Sequence, residues 1–306
     1  MNNLKKVGLT ALAGSLAAVS ANAAEMTVSG ATLLTYTTED TTEVTGNPFG
    51  MKTNIAFNAS GDVNGMTVSY MQTVKDQFAG MSSARLSVDM GDMGVIAFDQ
   101  GSGSGLATID DKTPTAAEEI WDGLDGGGAS STSVGGLVGA AGNTGVLNYV
   151  KSMAGITFNG AMRRGSGTGN SDGSSSGAGG SAWDFALTGS GDIVGLDGLS
   201  WGAGYGTESV DGNSNTSADI DDNEHFTGFI NYAMGPVTVG YNQAETSGGT
   251  TGHSMFQIEG MGITFNVNDN LSIGYTNVEQ EYANAGGTAN VVEESTGLSM
   301  AYTMGS

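Results

Sequence analysis

The chain has 306 residues, of which 52 are glycine and none is cysteine, and its 32 acidic against nine basic side chains give a formal charge of −23. That charge argues against nucleic-acid binding, because phosphate contacts need clustered lysines and arginines. The missing cysteines exclude disulfides, thiolate metal sites and a cysteine nucleophile, and two histidines cannot form a three-histidine site. Leu, Ile, Val and Phe are too sparse for an ordinary globular core of this size, so the composition favours a glycine-rich β structure.

The first 23 residues are typical of a cleaved signal peptide. Lys5 and Lys6 precede an apolar run over 7–20, and Ala21-Asn22-Ala23 places small residues where signal peptidase requires them. The alternative is a membrane anchor, but spanning a bilayer takes about 20 apolar residues and this run is shorter. We therefore expect export and a mature domain over 24–306, whose charge is −25 because two lysines are removed (7 − 32).

Apolar residues alternate with small polar residues along the whole mature chain, as in Leu199-Ser-Trp-Gly-Ala-Gly-Tyr205. A soluble sandwich would need large inward residues from two sheets. One apolar face and one small polar face instead predict an all-β, transmembrane, antiparallel up-and-down β-barrel with lipid outside and water inside. We predict fourteen strands, near 25–38, 51–61, 66–75, 83–90, 95–100, 144–152, 156–164, 182–191, 199–208, 225–234, 237–245, 253–266, 271–281 and 295–303.

The connections between these strands alternate in length. Tight turns rich in Gly, Asn and Asp are predicted at 62–65, 91–94, 153–155, 234–236 and 267–270. Longer polar loops are predicted at 39–50, 76–82, 101–143, 165–181, 209–224, 246–252 and 282–294. This asymmetry is typical of outer-membrane barrels, which have periplasmic turns and external loops. In the segment 253–266 the apolar face changes near Gly260, which predicts a bulge.

The chain resembles the Gram-negative general porins, close to those of marine alphaproteobacteria. The resemblance rests on the signal peptide, the mature start Glu25-Met-Thr-Val-Ser-Gly30, the rhythm of hairpins through Ser306 and one long loop after the fifth strand. It implies a homotrimer in the outer membrane and a barrel of about sixteen strands. It also implies a terminal aromatic strand that the outer-membrane assembly machinery reads. Because this chain ends at Thr303-Met-Gly-Ser306, we expect that a last hairpin is missing, although fourteen strands could also close.

In the family, the third loop folds into the barrel and narrows the channel, and here that loop is 101–143. Loops beyond about 15 residues are usually functional or disordered. Thr115 with Glu118 suggests a capping box, Pro114 suits a helix entry, and Trp121 is expected to face the barrel wall. The alternative is a solvated external loop with ordinary surface acids. On the constriction hypothesis the water-facing acids are Asp110, Asp111, Glu118, Glu119, Asp122 and Asp125.

Basic residues on the barrel wall are the expected counterpart of these acids. Alternation places Lys52, Arg85 and Arg163 inward, which fits the cost of about 2–4 kcal/mol for Arg or Lys on a lipid face. Acids facing bases across a narrow lumen would create a transverse field that sorts solutes by charge. The basic residues near strand ends are expected to snorkel or face the rim: Lys75, Lys151 and Arg164.

These features predict a passive diffusion channel for small hydrophilic solutes and ions. Because acids far outnumber bases, we expect a mild cation preference, unless the basic wall dominates the throat locally. The competing function is an outer-membrane or secreted β-rich adhesin without channel activity, which Gly-, Ser- and Thr-rich loops such as 165–181 would suit. A solenoid of that kind would show a fixed repeat, whereas the strand spacing here varies.

We expect neither catalysis nor a cofactor. Gly101-Ser-Gly-Ser-Gly105 follows a strand but lacks a dinucleotide or phosphate-loop pattern, and nothing marks a nucleophile beside His225 or His253. Calcium is the one ligand considered, because hard oxygen ligands suit it. No calcium-loop spacing is present, so a plain solvated face is favoured for the candidate acids Asp219, Asp221, Asp222 and Glu224.

Overall fold

The fold is all-β and consists of fourteen antiparallel strands in up-and-down order, as predicted. The computed structural model describes residues 25–36, 49–74, 80–110, 112–116, 140–141, 144–164, 181–209, 222–247, 255–283 and 291–303. The strands are β1 Glu25–Tyr36, β2 Phe49–Val63, β3 Met66–Val74, β4 Met81–Asp89, β5 Val95–Gln100, β6 Thr144–Met153, β7 Ile156–Arg164, β8 Ser181–Ser190, β9 Leu199–Glu208, β10 Asn223–Met234, β11 Val237–Ser247, β12 Met255–Asn268, β13 Leu271–Ala283 and β14 Val291–Tyr302. Each of the fourteen predicted segments corresponds to one of these strands.

Helical structure in the described residues is limited to three short 3-10 turns, at Gly91–Met93, Gly105–Thr108 and Gly191–Val194. No helix among these residues has the length and apolar character needed to cross a membrane. The predicted signal peptide, 1–23, lies outside the described residues.

The chain divides into two compact units, residues 1–102 and 103–306. The first unit contains β1–β5, and each strand pairs antiparallel with the next. The second unit contains β6–β14, paired in the same way. Sequential hairpin pairing of this kind needs only short connections on one side of the sheet.

The short turns have the backbone geometry that their residues favour. Asn64 and Gly65 between β2 and β3 both have positive φ, 53° and 80°, as a two-residue type I′ turn requires. Ala154 and Gly155 between β6 and β7 repeat this pattern with φ of 52° and 81°. The connection between β8 and β9, residues 191–198, is longer; the predicted strand bounds left 192–198 between the two strands but placed it among neither the turns nor the loops.

The sheet of each unit has one apolar and one polar face, because residues paired across strands share a face. The name apolar face is used for the side that carries the row Met26, Ala59, Tyr70, Leu86 and Phe98 in the first unit. In the second unit the apolar face carries the row Leu199, Tyr232, Val239, Ile263, Tyr275 and Leu298. Large side chains on this face are exposed, up to 84% for Leu298.

The opposite, polar face carries small or hydrophilic side chains. In the first unit one of its rows is Thr27, Asn58, Met71, Arg85 and Asp99. In the second unit one of its rows is Ala186, Gly204, Thr227, Ala244 and Ile258. The buried apolar clusters are small and lie on this side, one formed by Leu106, Ile109 and Ala186, the other by Ala141, Val146 and Ala161.

The predicted change of face near Gly260 is wrong. The pairing of β12 with both neighbours is regular from Met255 to Asn266, and the one irregularity lies between Asn266 and Asn268. Ile258 is a buried apolar residue of the polar face, whereas Gln257 and Glu259 lie on the apolar face near the loop end of the strand. At this end of β12 the polar face therefore carries an apolar side chain and the apolar face carries polar ones, although side chains continue to alternate between the two faces.

Candidate functional site

Residues 103–110 and 112–116, after β5, lie on the polar face of the second unit, and we call them the inner segment. Its entry is fixed by backbone N–H groups that donate to polar side chains of the wall. Gly105 donates to Asn159 Oδ1 of β7 at 2.9 Å, and Leu106 donates to Asp184 Oδ1 of β8 at 3.0 Å. The first part of the predicted loop 101–143 therefore runs along the wall of its own unit.

Apolar contacts hold the same part of the inner segment. Leu106 and Ile109 are fully buried and pack with Ala186 of β8, and Phe229 of β10 packs against this cluster. Gly204 of β9 leaves space for the Leu106 side chain, because a Cβ at this position would lie 2.5 Å from Leu106 Cδ2.

The second half of the inner segment crosses the strands β10–β14. Asn231 of β10 donates to the carbonyl of Lys112 at 2.9 Å, and Thr276 of β13 donates to the carbonyl of Pro114 at 3.2 Å. The N–H of Ala116 donates to Ser299 Oγ of β14 at 3.0 Å. These hydrogen bonds pair main-chain groups of the segment with side chains of β10, β13 and β14.

Glycines make room for this crossing. A Cβ at Gly262 would lie 2.2 Å from the Pro114 carbonyl oxygen, and one at Gly260 would lie 2.3 Å from Thr113 Oγ1. A Cβ at Gly240 would lie 2.7 Å from the ring of Pro114. Close approach of the segment backbone to the wall therefore depends on glycine at these positions.

Asp184 joins both ends of the loop. Its side chain is 2% exposed, with Oδ1 accepting from the N–H of Leu106 and Oδ2 accepting from the N–H of Ala141 at 2.7 Å. Ala141 lies shortly before β6, so a single carboxyl group binds both the segment that leaves β5 and the segment that leads to β6. The two backbone donors give both oxygens of this buried carboxyl group a hydrogen-bond partner.

The structure describes one of the six acids predicted for the loop. Asp110 is half-buried in the inner segment, next to the buried Ile109. Residues 117–139, with the predicted helix and Trp121, lie outside the described part of the chain. The same holds for the other predicted acids, which are Asp111, Glu118, Glu119, Asp122 and Asp125.

Two of the three predicted basic residues lie on polar faces and form ion pairs. Arg85 Nη1 is 3.3 Å from Asp99 Oδ2, its neighbour in register on β5. Arg163 Nη2 is 2.7 Å from Glu208 Oε1, two strands away, and reaches it over the small Ala182. Lys52 lies in β2 opposite Leu33, and its side chain is outside the described residues.

The first unit has a groove of ≈ 420 Å³ beside Arg85. Polar side chains of β1–β4, among them Asn58, Ser69 and Arg85, line it together with Ala59, Tyr70 and Met71.

Sequence reasoning missed the acidic partners Asp99, Glu208 and Asp184. Alternation along β8 could have indicated Asp184, because this charged residue stands between Trp183 and Phe185 and therefore lies on the polar face. No group of three or more His, Cys, Asp or Glu side chains in the described residues is placed to hold a metal ion. Of the acids considered for calcium, Asp219 and Asp221 are not described, and Glu224 accepts a hydrogen bond from Tyr205 at 2.8 Å.

Similar folds occur among outer-membrane proteins. A Salmonella typhi OmpF in complex with daunomycin is 14% identical, with 90% of this chain and 85% of that chain covered and a TM-score of 0.56. A loop L8 deletion mutant of OmpT, an outer membrane protein of Vibrio cholerae, is also 14% identical, with 93% and 90% covered and a TM-score of 0.53. A mutant of the Rh. blastica porin matches at 10% identity over 90% and 99% of the chains, with a lower TM-score of 0.46.

The first two likenesses establish the fold, an antiparallel up-and-down barrel of the outer-membrane type. No protein-family model and no curated protein sequence matches the chain. The resemblance to the general porins therefore stays a prediction on the level of the family.

Proposed function

We propose that this protein is an outer-membrane porin, a passive diffusion channel for small hydrophilic solutes and ions with a mild cation preference. The observation that carries the proposal is the inner segment, which is fixed on the polar face by Asn159, Asp184 and Ser299. A loop that folds onto the wall inside a barrel narrows the aqueous path, and an external loop would have no such contacts.

The two faces of the sheet supply the remaining parts of a pore. The apolar face, with exposed side chains such as Leu298, Met26 and Met162, suits contact with lipid. The polar face, with the groove beside Arg85, suits water. A soluble sheet would bury its large apolar side chains against a second layer instead.

The ion pairs support cation preference. Arg85 and Arg163 are each paired with a carboxylate, so neither side chain contributes an uncompensated positive charge to the polar faces. The excess of acids, −25 after removal of the expected signal peptide (7 − 32), then determines the sign of the field. The acids of the loop, with Asp110 at the inner segment, are proposed to add to this field at the constriction.

Location and assembly follow from the proposed function. The predicted signal peptide would export the chain, the outer-membrane assembly machinery would insert it, and outer-membrane lipid would cover the apolar face. A homotrimer is proposed from the resemblance to the general porins. Passive diffusion requires neither catalytic groups nor a cofactor.

Single-channel conductance of protein extracted from the native outer membrane tests the proposal, with a reversal potential measured under a salt gradient. We expect discrete open steps and a cation-selective reversal potential. Open steps with anion selectivity would retain the channel and reject the cation preference. Protein that inserts but never conducts would reject the porin and favour an adhesin.

A further inference from the structure

The connection between β8 and β9 is longer than the neighbouring turns and exposes three apolar side chains. Residues 191–198 begin with a 3-10 turn, Gly191–Val194, and continue to Gly198. Ile193, Val194 and Leu196 are 43%, 63% and 51% exposed. The corresponding turns of the same unit, such as Ala154–Gly155 and Asp269–Asn270, consist of two residues.

This turn folds toward the apolar face of the sheet. Gly189 pairs with Ile156 and Trp201 on that face. In the turn beyond β8, the position that a Cβ of Gly191 would take lies 2.7 Å from Cβ of Leu199, which lies on the apolar face. The position that a Cβ of Gly191 would take lies 1.8 Å from the Leu196 carbonyl oxygen. The chain of the turn therefore covers the apolar side of the strand end.

The exposed side chains of the turn join the apolar face of the neighbouring hairpin. Ile193 Cγ2 lies 2.8 Å from the Cβ position of Gly155, in the turn between β6 and β7. Met153, two residues before Gly155, is 72% exposed on the apolar face, where it pairs with Ile156. We call Met153, Ile193, Val194 and Leu196 the turn patch.

We propose that the turn patch is a lipid-binding surface, which enters the boundary between headgroups and acyl chains of the phospholipid leaflet on the turn side. The inference rests on the proposed function, because it requires lipid on the apolar face. The patch is a continuation of that face beyond the strand ends. Asp192, bonded to Ser190 at 2.9 Å, and the exposed Asp197 provide the water-facing side of the same turn.

The charged residues of the apolar face also indicate that lipid covers its turn side. Glu259, Glu279 and Glu294 lie in one cross-strand row of this face, on the loop side of the aromatic row that contains Tyr275. Carboxylates are unfavourable in lipid, so the bilayer should begin below them. On the turn side the apolar face carries Lys151, whose ammonium suits phospholipid phosphates. The lipid-covered zone is thus displaced toward the turns, and the turn patch lies at its edge.

Site-directed spin labelling tests this surface, since the chain has no cysteine and single labels are unambiguous. Val194→Cys, Ile263→Cys on the apolar face and Asp269→Cys in a two-residue turn are each labelled with a nitroxide. The full-length proteins are then reconstituted in phosphatidylcholine–phosphatidylglycerol vesicles. The ratio of accessibility to oxygen over a water-soluble nickel chelate is measured for each label.

We expect a ratio for the label at 194 several-fold above that at 269 and approaching that at 263. An equally low ratio at 194 and 269, with a high ratio at 263, would overturn the lipid surface and leave the porin intact. A low ratio at 263 as well would contradict the membrane barrel itself. A label at 194 that is shielded from both reagents would indicate a contact between copies of the chain and would also overturn the proposal.

Discussion

Adjacent arginines at the end of β7 lie on opposite faces of the sheet. Arg163 is on the polar face and paired with Glu208, whereas Arg164 is on the apolar face and exposed. We expect Glu208→Gln to release a positive charge near the ion path and to lower the cation preference. A unit charge about 4–10 Å from an ion in water contributes about 0.4–1 kcal/mol, or about twofold to fivefold for each ion, in opposite directions for cations and anions. Reversal potentials measure this change.

Arg164→Gln is the matched control for Arg163→Gln. Removing Arg163 leaves Glu208 unpaired, so the cation preference should increase, and removing Arg164 should leave the reversal potential unchanged. Equal shifts in both variants would contradict the assignment of the polar face to the lumen.

A second residue-scale prediction concerns Asp184. Asp184→Ala removes the acceptor of two backbone N–H groups, those of Leu106 and Ala141. Hydrogen bonds to a charged group contribute about 1.5–3 kcal/mol each, so the loop should detach from the wall at both ends. We expect larger and noisier single-channel conductance, with retained heat-modifiable mobility on gels.

Asp192→Ala is the control for this carboxylate, because Asp192 is exposed in the β8–β9 turn and bonded only locally, to Ser190. Its conductance should match that of the unmodified protein. Unchanged conductance of the Asp184 variant in a folded protein would exclude the inner segment as the constriction.

At the scale of elements, the strands β9–β13 and the inner segment fit each other through glycine. Gly262→Ala would place a methyl group 2.2 Å from the Pro114 carbonyl oxygen. Because this oxygen is a backbone atom, the clash can be relieved only by moving the main chain. We expect this variant to lift the segment and to raise conductance. Gly228→Ala on the apolar face is the control, because its Cβ would meet neighbours at 3.5–3.8 Å, an ordinary contact. Similar conductance of the two variants would contradict the conclusion that glycines of the polar face allow the inner segment to approach the sheet.

The strands were predictable because alternation is a local signal. β5, β7 and β9 have the predicted bounds, and the tight turns have the Gly and Asn residues that positive φ favours. Prediction was wrong near Gly260, because Ile258 is an apolar residue that lies on the polar face. The predicted strands 182–191 and 199–208 left a connection between them, but no turn signal in the sequence predicted its 3-10 turn, Gly191–Val194.

The candidate site was predictable only in part. Loop length and position after β5 indicated that the loop is functional, but its wall contacts are formed by residues far apart in sequence. Asp184 lies 78 positions from Leu106 and 43 from Ala141. Alternation also did not predict the ion pairs of Arg85 and Arg163. It assigns each side chain to a face of the sheet but does not identify the residue that it contacts on that face.

At the scale of the whole molecule, charge is unevenly compensated. The mature chain is expected to carry seven basic and 32 acidic side chains, and in the described part of the chain Arg85 and Arg163 are held in ion pairs. A large excess of one sign near an aqueous path concentrates the counter-ion there. Selectivity from such a diffuse field differs from selectivity by a binding site, because it depends on screening by salt.

The last prediction follows from that dependence. The screening length is about 10 Å at 0.1 M salt and about 3 Å at 1 M, so loop and wall charges act across a pore only in dilute solution. We expect the cation-to-anion permeability ratio to fall toward that of free diffusion as KCl rises from about 0.1 M to about 1 M. Reversal potentials at a fixed concentration gradient measure the ratio, and swelling of proteoliposomes in an uncharged sugar is the control, which salt should leave unchanged. A ratio independent of salt would replace the diffuse field with a localised cation site at the constriction.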